Sequence, residues 1–213
     1  MASPERKLKI LCLHGYRQCG VTFRERTGAL RKMLKSMAEF VFVTAPHAIP
    51  GSEDLEIGKQ YGWWFSDSSC YDCNAETCVD IGFNDSVEFL RRVLKEQGPF
   101  DGVLAFSQGA SFLGMLCRMQ MSEPEVFNFK FVLLVAGFRS LQEAHQRYYS
   151  AAKMTIPSLH MIGDTDKVIV SSRSDEFAEM FENPDIIRHP GGHFIAASSA
   201  QKDGFKSFLK RFV

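Results

Sequence analysis

Residues 100–110 (F-D-G-V-L-A-F-S-Q-G-A) constrain the fold of this chain more than any other stretch of the sequence. The apolar run 103–106 is typical of a strand that is covered on both faces in a parallel sheet. In residues 111–121, by contrast, apolar side chains recur at helical spacing. Ser107 lies at the junction among small residues. The stretch therefore predicts a sharp strand-to-helix turn with a serine at its tip.

This turn matches a relaxed form of the G-x-S-x-G pattern, in which Ala105 takes the first glycine position. Such a turn forces its serine into unfavourable backbone angles, and small neighbours such as Ala105 and Gly109 let strand and helix approach closely. Ser107 is therefore a candidate nucleophile. Turns rich in Gly, Ser and Ala also occur in other parallel α/β proteins, so this stretch alone leaves both interpretations open.

The rest of the chain alternates strand-like apolar segments with segments of helical periodicity. We predict strands at residues 8–13, 40–43, 103–106, 129–136, 156–162 and 186–189. We predict helices around residues 23–37, 83–94, 111–121, 141–151, 177–181 and 205–212, the first of them starting at Thr22 or Thr27. This alternation predicts an α/β fold with one mostly parallel, doubly wound sheet of about six strands. We expect a single domain over residues 1–213.

The segment 47–80 interrupts this rhythm, because it is too long and too rich in turn residues for a simple connection. It contains three adjacent aromatic residues, Trp63, Trp64 and Phe65. Inserted loops of this kind often form lids or the walls of binding sites. We therefore predict that Trp63 and Trp64 contact the substrate. The alternative is that the aromatic residues anchor the loop to the core.

The charge balance gives no electrostatic reason to expect nucleic acid or an anionic membrane as a partner, because Lys plus Arg equals Asp plus Glu at 25 each. No apolar stretch approaches the roughly 20 residues of a membrane-spanning helix. The first residues do not resemble a signal peptide. We expect a cytoplasmic location and a small-molecule partner. Protein partners and oligomeric state are left open.

The cysteines indicate neither a metal nor another cofactor. Cys70, Cys73 and Cys78 resemble three quarters of a zinc site, but no fourth Cys or His follows nearby. The C-x-x-C pair also lacks the strand-to-helix setting of redox motifs. Because the cytosol keeps thiols reduced, we expect all six cysteines to be free.

Acidic and histidine residues follow two other predicted strands at their carboxyl ends, where functional groups gather in parallel sheets. Asp164 and Asp166 follow the strand 156–162, and His193 follows the last strand. With Ser107, the chain therefore carries serine, acid and histidine in the order typical of α/β-hydrolases. We favour Asp166 as the acid, since it lies further beyond the strand end. Asp164 is expected to tie its loop together.

These three residue types suit nucleophilic catalysis. A serine hydroxyl is a poor nucleophile until a neighbouring base takes its proton, and His193 can act as that base. A carboxylate on the other imidazole nitrogen orients the ring and stabilises its charged form. The oxyanion that forms needs two donors, which we predict to be the backbone N–H groups of Gln108 and Tyr16.

Motifs along nearly the whole chain resemble one known family. They are L-C-L-H-G-Y-R-Q, T-A-P-H, Y-G-W-W-F, G-V-L-A-F-S-Q-G-A, G-D-T-D-K-V-I and G-G-H-F-I. They look like the small serine hydrolase family of the α/β-hydrolase class, which joins fungal serine hydrolases to a vertebrate esterase. The resemblance runs from about Lys9 to Phe212.

The resemblance implies an α/β-hydrolase fold, with nucleophile, acid and base on Ser107, Asp166 and His193. It also implies a carboxylesterase that acts on alkyl or fatty-acyl esters. Family members differ most around residues 66–80, so the substrate itself carries over poorly. Two alternatives remain open from the sequence: a thioesterase or amidase that uses the same residues, and a non-catalytic binding module with the same fold.

Overall fold

The structure is a computed structural model that describes residues 6–52, 58–149 and 152–213. Within these ranges, six strands form the central sheet and two short strands form a separate hairpin. In chain order the strands are β1 (Leu8–Leu13), β2 (Ala38–Val43), β3 (His47–Ala48), β4 (Tyr61–Gly62), β5 (Gly102–Phe106), β6 (Phe131–Val135), β7 (Ser158–Gly163) and β8 (Asp185–His189).

The central sheet has the order β2-β1-β5-β6-β7-β8, and every neighbouring pair is parallel. The doubly wound sheet predicted from the sequence is therefore confirmed. The chain first builds outward from β1 to β2 and later returns to place β5 on the other side of β1. The carboxyl ends of β1 and β5 thus flank the point where the winding reverses, which is where open α/β sheets bind ligands.

Helices cover both faces of the sheet. They are α1 (Gly20–Arg26), α2 (Gly28–Leu34), α3 (Phe83–Gln97), α4 (Gln108–Gln120), α5 (Ser171–Ala178) and α6 (Ser199–Leu209), with a 3-10 helix at Glu143–Tyr149. Side chains alternate along β1, so that Leu11 and Leu13 pack into one hydrophobic cluster while Ile10 and Cys12 pack into the other. Across the described ranges, none of the helices has the length and apolar character needed to cross a membrane.

The helix predicted around 23–37 is two helices in the structure. α1 begins already at Gly20, and the helical conformation is interrupted at Thr27, before α2. The Thr27 hydroxyl donates a hydrogen bond to the Phe23 carbonyl at 2.8 Å. Such a side-chain bond competes with regular helical pairing, and Gly28 follows immediately. The periodicity of the apolar residues spans both helices and therefore concealed the break.

Three other helices differ in type or extent from the sequence-based prediction. The segment predicted as a helix over 141–151 forms the shorter 3-10 helix, and its last two residues lie outside the described ranges. Phe181 and Phe212 lie beyond the ends of α5 and α6. Both rings are still packed against the hydrophobic core. Apolar spacing therefore identified the packed face but not the last hydrogen-bonded turn.

The insertion carries a small antiparallel hairpin, in which His47 pairs with Gly62 and Ala48 with Tyr61. After this hairpin the chain runs without regular strands or helices to the start of α3. Residues 53–57, between the two hairpin strands, lie outside the described ranges. The sequence therefore identified the insertion but not this pairing, which joins residues 13 to 15 positions apart.

Helix α4 lies very close to the end of β1, and Gly109 makes this approach possible. A Cβ atom at position 109 would lie 2.5 Å from the carbonyl oxygen of His14 and 2.7 Å from that of Leu13. Both neighbours are backbone atoms, so a side chain could be accommodated only by moving the helix or the strand end. Gly109, two residues after Ser107, therefore fixes the position of the nucleophile turn against the end of β1.

Gly109→Ala is expected to destabilise the fold by about 1–3 kcal/mol, because overpacking a tight contact has costs of this size. For a chain of this length, thermal unfolding should shift down by about 2–4 °C per kcal/mol. The control is Gly28→Ala, where an added Cβ would meet nothing within 4 Å. That variant should be as stable as the native chain or slightly more so. Equal melting temperatures for Gly109→Ala and the native protein would contradict this account.

Candidate active site

Ser107 follows β5 directly and adopts a backbone conformation that L-residues rarely adopt, with φ 53° and ψ −118°. Its N–H donates to the carbonyl oxygen of Val135 at 2.9 Å, and its own carbonyl accepts from the N–H of Ser111 at 3.0 Å. The residue is thus tied to the neighbouring strand on one side and to α4 on the other. This strained turn is the geometry that the sequence predicted for residues 103–110.

His193 lies in the loop after β8, and its ring reaches back to Ser107. The Nε2 atom is 2.9 Å from the Ser107 Oγ. The loop can approach because Gly163 ends β7 without a side chain: a Cβ there would lie 2.5 Å from the carbonyl oxygen of Gly192. The glycine of the G-D-T-D motif therefore makes room for the histidine loop.

Asp166 is the acid that the structure brings to the histidine. Its Oδ2 is 2.7 Å from the Nδ1 of His193. Its Oδ1 accepts hydrogen bonds from the backbone N–H groups of Val168 and Ile169, at 2.8 and 2.9 Å. These two donors fix the carboxylate plane and stabilise its negative charge. Asp164 instead contacts the surface residue Arg188, at 3.2 Å, and not the backbone of its own loop as expected.

The hydrogen bonds define a chain that can move a proton. With its proton on Nδ1, His193 donates to the Asp166 carboxylate and leaves Nε2 as an acceptor for the Ser107 hydroxyl. This tautomer follows from the partners, because a carboxylate can only accept. The three side chains therefore have the arrangement that general-base activation of a serine requires.

Both residues predicted to supply oxyanion donors lie near Ser107 in the structure. Gln108 is the first residue of α4, so its N–H has no partner within the helix and lies at the positive end of the helix dipole. In the described part of the chain, the N–H of Tyr16 also has no hydrogen-bond partner. A Cβ at Gly15 would lie 3.3 Å from that of Ser107, so the loop after β1 passes directly over the serine.

His14 has a structural role in that loop. Its Nδ1 donates to the Gly15 carbonyl at 2.7 Å, and its Nε2 accepts from the N–H of Ala45 at 2.9 Å. Burial lowers the pKa of His14 to about 4, so the ring is neutral at physiological pH. Only the neutral ring can accept from Ala45 while it donates to Gly15.

The structure does not bring Trp63 and Trp64 to the surface of the cleft, contrary to the expectation that they contact substrate. Both side chains are fully buried. The Trp63 indole stacks on Phe112 with ring centroids 5.2 Å apart, and Trp64 packs edge-on against Phe83 at 6.0 Å. The alternative interpretation, in which these aromatic residues anchor the insertion to the core, agrees with this placement.

A cleft beside His193 has a volume of about 320 Å³. Its walls are formed by Gln18, Phe23, Arg26, Phe106, His193, Phe194 and Ile195. The sequence pattern does not mark Phe194 and Ile195 as wall residues, although they belong to the G-G-H-F-I motif. The sequence did give one signal, since aromatic residues next to a predicted base are well placed to contact the substrate. For Phe23 the sequence predicts only that it lies in the first helix.

The thiols of the insertion form no metal site in the described residues. No group of three or more His, Cys, Asp or Glu residues lies close enough there to hold a metal ion. Cys70, Cys73 and Cys78 are all free. The Cys73 thiol lies 3.8 Å from the carbonyl oxygen of Val168.

A sequence model of one family, described as serine hydrolase (FSH1), matches residues 1–205. The chain belongs to the FSH1 family of serine hydrolases. This confirms the resemblance found in the sequence motifs.

Two curated relatives have similar lengths. The chain is 45% identical to "Esterase OVCA2" of Danio rerio over 222 aligned positions, which cover 96% of this chain and 97% of the relative. It is 36% identical to "Esterase OVCA2" of Homo sapiens, covering 98% of each chain.

Among solved structures, the fold is similar to that of the Bacillus cereus carboxylesterase. The TM-score is 0.62, with 99% of this chain and 91% of the other covered. The sequence identity is only 17%, so this likeness concerns the fold alone. This structural likeness confirms that the chain has the α/β-hydrolase fold.

Asp166→Asn is expected to lower kcat/KM for p-nitrophenyl esters by about 10²–10⁴-fold, because an amide neither stabilises the charged imidazole nor enforces its tautomer. The matched control is Asp164→Asn, in the same loop but directed at Arg188. That variant should retain activity within about twofold, as expected of an exposed ion pair. Equal losses in the two variants would argue against a role for Asp166 at His193.

Proposed function

We propose that this protein is a serine carboxylesterase that hydrolyses alkyl or fatty-acyl esters through an acyl-enzyme on Ser107. The observation that carries the proposal is the pair of contacts made by His193, 2.9 Å from the Ser107 Oγ and 2.7 Å from the Asp166 Oδ2. Membership of a serine hydrolase family supports it. So do relatives named esterases at 36–45% identity.

In the first half of the reaction the Ser107 Oγ attacks the ester carbonyl carbon, and its proton passes to the Nε2 of His193. The carbonyl oxygen becomes an oxyanion that accepts from the N–H groups of Gln108 and Tyr16. The carbon–oxygen bond to the alcohol then breaks, and His193 returns the proton to the departing oxygen. Asp166 stabilises the imidazolium while it carries this proton. The acyl group remains on Ser107.

In the second half a water molecule takes the place of the alcohol. His193 accepts a proton from the water as the oxygen attacks the acyl carbon, and the same two N–H groups hold the second oxyanion. Collapse of this intermediate breaks the bond to the Ser107 Oγ, which recovers its proton from His193. The products are the carboxylic acid and the free enzyme.

Ser107→Ala is expected to lower ester turnover by about 10³–10⁶-fold, because no oxygen remains to form the acyl-enzyme. Labelling with a fluorophosphonate should be lost as well. The control is Ser111→Ala, a fully buried serine one helical turn further along α4. It should keep both labelling and turnover.

The same experiment separates the alternatives. A native protein that neither hydrolyses esters nor reacts with the fluorophosphonate would indicate a binding module. A panel of matched esters, thioesters and amides should show the highest kcat/KM for the ester. A preference for the thioester or the amide would reassign the substrate but keep the nucleophile.

We propose that the cleft beside His193 holds the apolar part of the ester, in place of the buried tryptophans. Phe106 and Phe194 line this cleft together with His193, and the centroid of the Phe106 ring is 4.8 Å from that of the imidazole. Phe194 is 51% exposed. Burying such apolar surface against an alkyl chain favours binding by about 25 cal/mol per Å².

Phe194→Ala is expected to lower the ratio of kcat/KM for p-nitrophenyl decanoate over acetate by about five- to thirty-fold, since lost apolar contact of this extent costs about 1–2 kcal/mol. The control is Ile186→Ala, an apolar residue on β8 that is 43% exposed outside the cleft. In Ile186→Ala the ratio of kcat/KM for decanoate over acetate should match that of the native protein. An unchanged ratio in Phe194→Ala would place the acyl chain elsewhere.

We also propose that the chain works as one domain over residues 1–213, in the cytoplasm, on a small ester and without nucleic acid. One domain is supported by the packing of the insertion, since Trp63 and Trp64 join the same hydrophobic cluster as Leu11. A cytoplasmic location is supported by the six free cysteines. Subcellular fractionation tests the location.

A further inference from the structure

The insertion segment 61–64 contacts the loop after β1 on one side of the predicted oxyanion hole. The N–H of Arg17 donates to the Tyr61 carbonyl at 3.0 Å, and the N–H of Tyr61 donates to the Gln18 carbonyl at 2.9 Å. The indole Nε1 of Trp63 donates to the His14 carbonyl at 2.7 Å. The loop that carries the Tyr16 N–H is thus held by the insertion at both of its ends.

The same segment contacts the other side of the hole through the side chain of Gln108. The Oε1 of Gln108 accepts from the backbone N–H of Trp63 at 3.0 Å. Its Nε2 donates to the carbonyl oxygen of Trp64 at 2.8 Å. All three residues are fully buried, so water does not compete for these bonds. The residue that supplies one oxyanion donor is therefore bonded to the insertion by its own side chain.

Gly62 shows how closely these parts fit. A Cβ at this position would lie 3.0 Å from the Tyr16 ring and 3.4 Å from the Oε1 of Gln108. The two predicted oxyanion residues therefore meet at one point of the insertion, between Tyr61 and Trp63. Their relative position depends on where the insertion lies.

We propose that Trp63 and the side chain of Gln108 are positioning residues that set the distance between the two oxyanion donors. The proposal rests on the proposed function, because the oxyanion exists only if Ser107 attacks a carbonyl. The insertion then acts on catalysis from inside the protein, through its hydrogen bonds to the loop after β1 and to Gln108, and not as a wall that touches the substrate.

The geometry explains why one indole bond matters. The His14 carbonyl belongs to the peptide group that also contains the N–H of Gly15, so holding this oxygen fixes the plane from which the chain proceeds to Tyr16. Oxyanion donors act only when they lie about 2.7–3.1 Å from the developing charge. A displacement of about 1 Å in a positioning contact can cost about 10²-fold in rate.

The chain offers a matched pair of variants. Trp63→Phe removes the bond to His14 and keeps an aromatic ring against Phe112. Trp64→Phe removes an equally buried indole bond at the next residue. The Trp64 indole donates to the Oε1 of Gln142 and not to the loop after β1. Both variants lose one hydrogen bond and part of one ring, so a purely structural effect should be similar in the two.

We expect Trp63→Phe to lower kcat for p-nitrophenyl esters by about ten- to a hundredfold with KM changed less than about twofold, because the lost interaction acts only in the transition state. Trp64→Phe should have a melting temperature similar to that of Trp63→Phe, but its fold-loss of kcat should be at least five times smaller. Inhibition by a trifluoromethyl ketone, which forms an oxyanion on the serine, should weaken in Trp63→Phe in proportion to kcat. The pH profile should not shift, because His193 and Asp166 are untouched.

Gln108→Met gives a second, independent measurement, since it removes both bonds to the insertion at nearly constant length. It should also lower kcat rather than raise KM. Combined with Trp63→Phe, its effect should be less than additive, because the two changes remove different bonds that hold the same insertion segment against the two oxyanion donors.

Equal kcat losses in Trp63→Phe and Trp64→Phe, or a change confined to KM, would overturn the proposal. Fluorophosphonate labelling of the native protein keeps this outcome distinct from failure of the proposed function. If Ser107 of the native protein is inert, the esterase proposal fails. If it is labelled and only the variant pattern is absent, the positioning role alone fails.

Discussion

The site depends on one constraint, which is that Ser107 must stay at a positive φ of 53° while α4 is pressed against the end of β1. Such a conformation costs about 1–3 kcal/mol and persists only when its surroundings determine it. Here the surroundings are backbone atoms. The Val135 carbonyl in β6 accepts from the Ser107 N–H, and the His14 carbonyl oxygen lies only 2.5 Å from where a Cβ of residue 109 would be. Because little here can relax, the serine hydroxyl has a fixed position for the histidine to meet.

A parallel sheet explains how distant parts of the chain converge on that hydroxyl. Each strand delivers the loop that follows it to the same edge, so the loops after β5, β7 and β8 bring Ser107, Asp166 and His193 together across separations of 27 and 86 residues. The loop after β1 reaches the same place because the winding reverses between β1 and β5. The insertion adds a second layer behind the site, where the indole of Trp63 and the amide of Gln108 hold the loop and helix in register.

Much of this could be predicted from the sequence. The predicted bounds of the six central strands lie within two residues of the observed ones at every end, because buried parallel strands are short apolar runs bounded by turn residues. Asp166 could be preferred to Asp164 from its place two residues further beyond β7, and it is the one that contacts His193. The break at Thr27 and the 3-10 helix could not be found in this way. At both places a side chain bonds to a nearby backbone carbonyl, Thr27 to that of Phe23 and Gln146 to those of Ser140 and Gln142, and such bonds leave the apolar spacing unchanged.

The sequence by itself determined the fold class, the strand-serine-helix turn and the order of serine, acid and histidine, because these features are written in local periodicity and in which residues follow each strand. Only the tertiary structure decided where Trp63 and Trp64 lie. Three adjacent aromatic residues without regular spacing fit a lid as well as a buried anchor. The choice depended on polar partners far along the chain, since the bonds of Trp63 reach back 49 residues to His14 and forward 45 residues to Gln108. No local pattern contains that information.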